Sequence, residues 1–149
     1  MILPAQAIKR IPGMITPFCE RVTCGHSGMT YGLGPASYDV RVAETHVIPA
    51  GQFALASICE HLSMPDDVLA QVCDKSTWAR RGLGVLNTII DPGWRGFLTV
   101  ELTNHSSSEI TCYAGDPIAQ LIFFRLEAPT ELPYSGRYQD QEPGPQPAR

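Results

Sequence analysis

Three stretches of this sequence concentrate groups that can move protons or hold anions. In Phe97-Leu98-Thr99-Val100-Glu101-Leu102-Thr103 one carboxylate is set among aliphatic and hydroxyl residues. From Asp74 to Leu83, three cations (Lys75, Arg80, Arg81), two hydroxyls (Ser76, Thr77) and Gly82 fall within ten residues. From Pro133 to Gln141, Tyr134 and Tyr138 stand beside Arg137 and the amides of Gln139 and Gln141. A carboxylate lining a pocket serves as general acid and base once burial raises its pKa towards the proton-transfer range. Donors and cations beside a helical turn suit a phosphate cradle. An aromatic, a cation and amides near a chain end suit a segment closing over a base and its phosphates. Each stretch also has a plainer reading: Glu101 facing solvent on an outer sheet, a solvated basic loop, and a disordered tail.

The elements that must position these groups are short strands. Pro and Gly, 13 of each, punctuate the chain, and the runs between them have a period of two. Residues 4–10 suit one short helix before Pro12. Ser37–Val42 is the first convincing strand, with apolar positions 38, 40 and 42. Turns at 49–51 and 65–67 lead into strands at 52–58 and 68–73, and further strands are predicted at 84–90, 96–103, 109–113 and 117–126. The last is apolar on both faces and belongs at the centre of a sheet. Asp91-Pro92-Gly93-Trp94 has the residues of a type II turn, Pro at the second position and Gly at the third. It is expected to join 84–90 and 96–103 as a hairpin, with Asp91 capping it. In the second of these strands Leu98, Val100 and Leu102 are assigned to the core face, and Thr99, Glu101 and Thr103 to the other. The pattern describes an all-β barrel or jelly-roll-like domain over 1–149, with about 127–149 an extended tail.

Composition excludes several classes. A formal charge of −4 argues against a nucleic-acid coat, and no apolar run approaches a membrane span. The N-terminus lacks the apolar stretch of a signal peptide. Five irregularly spaced cysteines read as reduced thiols in a cytoplasmic protein. Cys19, Cys24 and His26 could be imagined on a metal, but no second ligand pair has zinc-site spacing. Phosphate-binding P-loop, dinucleotide-binding and Gly-x-Ser-x-Gly motifs are absent, as is the His-x-Glu … Pro-Cys-x-x-Cys signature of zinc deaminases.

Six segments, in order, resemble the dCTP deaminase family of the dUTPase-like superfamily. They are Met1-Ile2-Leu3; Ala36-Ser37-Tyr38-Asp39-Val40-Arg41; Lys75-Ser76-Thr77-Trp78-Ala79-Arg80, similar to the family's Arg-Ser-Ser-Leu-Ala-Arg; Ile90 to Gly96 followed by Leu98 to Leu102; Ala114 to Leu121, similar to Gly-x-x-Ile-Ala-Gln-Leu; and Tyr134 to Gln141. The resemblance implies a dUTPase-like distorted barrel assembled as a homotrimer with sites at subunit interfaces. It implies zinc-independent hydrolysis of dCTP to dUTP and ammonia, feeding dUMP and dTTP synthesis, with Mg²⁺ carried on the triphosphate. It assigns Glu101 as the proton-transfer residue, with Ser76 and a carbonyl near Asn87-Thr88 holding the water and Arg80 orienting Glu101. Nucleotide contacts fall on Lys75, Ser76, Thr77, Trp78, Ala79, Arg80, Asp91, Thr99, Val100, Tyr134, Arg137 and Gln141, with Asp91 at the sugar. Feedback by dTTP is a further implication.

The chain departs from the family pattern at Lys75, where Arg is usual, at Arg137, where Lys is usual, between Arg41 and Pro49, where it is shorter, and at Pro147-Ala148-Arg149. Two alternatives stand beside deamination alone. One is a bifunctional deaminase and dUTP diphosphatase giving dUMP, whose members tend to carry Ala-Gly where Asn87-Thr88 stands. The other is a non-catalytic deoxynucleotide-binding regulator on the same fold.

Overall fold

The computed structural model describes residues 1–149. Its helices are short, α1 (Ala5–Lys9) and α2 (Ser76–Ala79). The strands are β1 (Ile15–Thr16), β2 (Val22–Thr23), β3 (Thr30–Leu33), β4 (Tyr38–Arg41), β5 (His46–Ile48), β6 (Phe53–Ser63), β7 (Val68–Asp74), β8 (Leu83–Val85), β9 (Ile89–Ile90), β10 (Arg95–Asn104), β11 (Ile110–Cys112) and β12 (Pro117–Arg125). They form a six-stranded sheet in the order β2-β3-β4-β12-β7-β9, a four-stranded sheet β1-β6-β10-β8, and the pair β11-β5. The fold is therefore mostly β, as the spacing of turns predicts.

β12 lies between β4 and β7, antiparallel to both. Ala119, Leu121 and Phe123 on one face are fully buried. They belong to one cluster of 28 buried hydrophobic residues drawn from both large sheets. At about 25 cal/mol per Å² of apolar surface, such a cluster is the main source of stability. The two sheets are tied where Val42 bridges Ile58 and where Arg41 meets Glu60. Glu60 is fully buried, and its two oxygens accept from Arg41 Nε at 2.8 Å and Arg41 N at 3.0 Å. Burial works against the Arg41 charge, but Glu60 outweighs it and raises the guanidinium pKa.

The structure corrects two expectations and qualifies a third. The stretch 84–90 is not one strand: β8 pairs with β10, while β9 pairs with β7 in the other sheet. Asp91–Trp94 is a type II turn, with Gly93 at φ +81° and Trp94 N–H donating to Asp91 O at 3.2 Å. It does not close a hairpin, because it carries the chain from β9 to β10, which lie in different sheets. Leu98, expected on the core face with Val100 and Leu102, packs against the core cluster but is only half-buried and also borders the cavity. Phe97 pairs with His61 but Thr99 pairs with Ser57, so an irregularity that sets extra residues into β6 interrupts the ladder beside Leu98. Four strands, β1, β2, β3 and β5, are too short or too polar to show as periodic runs. The tail is ordered against its own chain, where Gln141 forms a parallel bridge with Gly96. The five cysteines are free thiols, and burial pushes that of Cys112 up to about 12. No helix is long and apolar enough to cross a membrane.

Candidate active site

The wall of the site is the face of β10 that carries Thr99, Glu101 and Thr103. Across the ladder these pair with Ser57, Leu55 and Phe53 of β6, so Glu101 sits beside apolar side chains. Glu101 is half-buried. Its hydrogen bonds are all made by main-chain atoms: its N–H donates to Asn87 Oδ1 at 2.8 Å, and its carbonyl accepts from Leu86 N at 2.9 Å. The carboxylate itself is free to take a ligand.

A cavity of about 570 Å³ opens in front of this wall, within the usual range for small-molecule clefts. Its second side is Asn87 to Asp91 with Trp94 behind, and its third is the tail, through Tyr134, Tyr138, Gln141 and Gln146. The tail is held there by specific contacts. Tyr134 N–H donates to Pro92 O at 2.9 Å, Gln139 Nε2 to Gly93 O at 2.8 Å, and Trp94 Nε1 to Tyr138 O at 2.7 Å. Arg95 pairs with Asp140, and Phe97 N–H donates to Gln141 O at 3.0 Å. Further along, Gln146 N–H donates to Thr99 Oγ1 at 2.9 Å. The glycines of the turn region make this approach possible: a Cβ on Gly93 would lie 2.7 Å from Pro133 Cβ, and one on Gly96 2.5 Å from Gln141 N.

One chain thus brings together five of the residues singled out from sequence: Glu101, Asp91, Thr99, Tyr134 and Gln141. The rest lie elsewhere. Val100 is fully buried in the core and could reach a ligand through its main chain alone. Trp78 is buried too, with its indole N–H on Pro117 O at 2.7 Å. Lys75 is buried and does not present its charge: its ammonium lies 2.9 Å from Asp39 Oδ2, whose other oxygen accepts from Gln120 Nε2 at 3.1 Å. Ser76, Ala79 and Arg80 are exposed and Thr77 half-buried on α2, outside the cavity. Arg137 is exposed and donates to Arg149 O at 2.7 Å. Sequence reasoning missed Trp94, Tyr138 and Gln146 as lining residues. The indole after the turn and the tyrosine in the tail were signals for the first two, whereas nothing in the sequence marks Gln146.

Chemically, the cavity offers apolar walls for a flat ring, the carboxamide of Gln141, and two carboxylates, Asp91 and Glu101, with no ion-pair partner in the chain. It contains no Lys or Arg. No group of three or more His, Cys, Asp or Glu side chains is arranged to hold a metal ion. A family model described as dCTP deaminase-like matches residues 36–126. The dCTP deaminase of Campylobacter fetus is 34% identical over 161 aligned residues, covering 87% of this chain and 86% of that protein. That of Acidobacterium capsulatum is 31% identical over 169, covering 92% and 90%. Among solved structures, the EIAV dUTPase superposes with a TM-score of 0.57 at 27% identity, covering 68% of this chain and 85% of its own. The dUTPase from phage phi11 of S. aureus gives 0.57 at 17% identity, covering 80% and 90%, a likeness of fold alone.

Proposed function

The chain belongs to the dCTP deaminase family, and we propose from that premise that it hydrolyses dCTP to dUTP and ammonia with Glu101 as the proton carrier. The observation that carries this reading is the Glu101 carboxylate, unpaired on the cavity wall while its own N–H and C=O are both held by the Leu86–Asn87 segment. Glu101 takes a proton from water as the oxygen adds to C4 of cytosine. It passes that proton to N3, then assists transfer of a second to the departing amine, so that C4=O forms and ammonia leaves. Water supplies the oxygen and both hydrogens, and the carboxylate ends as it began. Tyr134 packs against the nucleotide, Gln141 takes a polar edge, and Asp91 accepts from the sugar 3′-hydroxyl. Mg²⁺ enters with the triphosphate as part of the substrate.

A triphosphate needs cations, and the cavity lining holds none. The exposed Ser76 and Arg80 of α2 supply water-holding and charge-stabilising groups if a neighbouring subunit presents them, which is the arrangement of a homotrimer with sites at its interfaces. Such an assembly works on cytoplasmic deoxynucleotides feeding dUMP and dTTP synthesis, with dTTP a candidate feedback ligand.

The test is incubation with dCTP and Mg²⁺ followed by chromatography of the products, beside Glu101→Gln. We expect dUTP to accumulate and kcat to fall about a hundredfold or more in the variant, as for loss of a general acid and base. Accumulation of dUMP and pyrophosphate instead identifies the bifunctional enzyme. Tight binding of dCTP or dTTP without turnover sinks the enzyme and leaves a regulator.

A further inference from the structure

The segment between β8 and β9 crosses from one sheet to the other, and Asn87 is its pivot. β8 follows β10 as far as Val85, opposite Leu102. One residue on, Leu86 N–H still donates to Glu101 O at 2.9 Å. The backbone then leaves for β7, where Thr88 O accepts from Val72 N at 3.2 Å. The Asn87 side chain fills the next rung: Nδ2 donates to Thr99 O at 2.7 Å, and Oδ1 accepts from Glu101 N at 2.8 Å. One carboxamide thus does for β10 what a further strand residue would do, offering a donor and an acceptor together. Asn87 also lines the cavity beside Glu101.

We propose that Asn87 is a positioning residue for the reaction, clamping the main chain of Thr99 and Glu101 so that the carboxylate meets C4 of the bound base. The proposal rests on the deaminase reading. Without the clamp, a C=O and an N–H on the edge of β10 lose their partners together. On that edge Glu101 is then held through its carbonyl alone, by Leu86 N–H, and the Thr99 carbonyl loses its Asn87 partner. A displacement of about 1 Å at a reacting group can cost about a hundredfold in rate.

The experiment compares wild type, Asn87→Ala and Asn87→Asp for kcat, KM and the pH profile of kcat with dCTP. If wild type does not convert dCTP, the deaminase reading fails and this role falls with it. With wild type active, Asn87→Ala is expected to lower kcat about ten- to hundredfold while KM moves less than about threefold. Asn87→Asp keeps an acceptor for Glu101 N–H but sets a negative charge near a carboxylate that must lose its proton. The acid limb of its kcat profile is expected to move up by about half a pH unit or more. Wild-type kcat in Asn87→Ala overturns the positioning role and leaves deamination standing. If Asn87→Ala does not fold, Asn87→Asp decides: an unmoved acid limb overturns the role.

Discussion

The charge of Lys75 is taken up inside its own chain. Its ammonium and the carboxylate of Asp39 are both buried and 2.9 Å apart, and Gln120 satisfies the second carboxylate oxygen. Removing one partner of such a pair strands the other without water, at a cost of about 3–5 kcal/mol. Lys75→Ala is therefore expected to lower stability by about that amount in urea denaturation. Unchanged stability with a raised KM for dCTP would show instead that Lys75 meets phosphate. The same residue shows what sequence reading reaches at this scale. The residue type and the segment were legible, because Lys-Ser-Thr-Trp-Ala-Arg matches a family segment. The partner was not, because Asp39 lies 36 positions earlier and nothing local signals that it points at Lys75. Glu101 was easier to read, since mid-strand alternation alone sets it on the face opposite Val100 and Leu102. Whether that face met solvent or a cavity depended on β6 and the tail.

At the scale of elements, period and turn chemistry predicted the strands that carry the site, and they failed where one strand interacts irregularly with another. The bulge beside Leu98 arises from pairing with β6, so no pattern within β10 could reveal that Leu98 borders the cavity as well as the core. The tail was legible as a segment able to close over a ligand, but its seat was not. That seat is the glycine-bearing stretch 93–96, where close backbone approach adds to the side-chain contacts of Trp94, Arg95 and Gln139. Gly96 has φ +139°, and a Cβ there would stand 2.5 Å from Gln141 N, a main-chain atom that cannot swing aside. Gly96→Ala is expected to lift the tail, raising KM for dCTP about tenfold and exposing residues beyond 127 to limited proteolysis. Gly115→Ala is the control, because Gly115 also has positive φ (+87°) but nothing within 4 Å of the added carbon. Equal effects of the two substitutions would assign the loss to backbone strain and not to the tail.

At the scale of the whole molecule, the two unpaired carboxylates of the cavity are kept apart from the cations around α2. Asp91 and Glu101 face one cavity together with Tyr134 and Gln141, while Arg80 and Arg81 stand exposed around α2. Two apolar residues lining the cavity are also uncovered, Phe53 56% and Ile89 51% exposed, and Leu86, next in sequence to the lining residue Asn87, is 57% exposed. Exposed apolar surface beside an incomplete polar site is the pattern expected of a face completed by another copy. This arrangement makes a prediction that no property of a single chain can imitate. Glu101→Gln and Arg80→Ala should each be nearly inactive as pure proteins. Co-expressed in equal amounts, they should recover about a quarter of wild-type turnover, because random assembly pairs an intact Glu101 with an intact Arg80 in about one site in four. If Arg80 instead served Glu101 of its own chain, every site in the mixture would carry one defect or the other, and turnover would stay at the level of the pure variants.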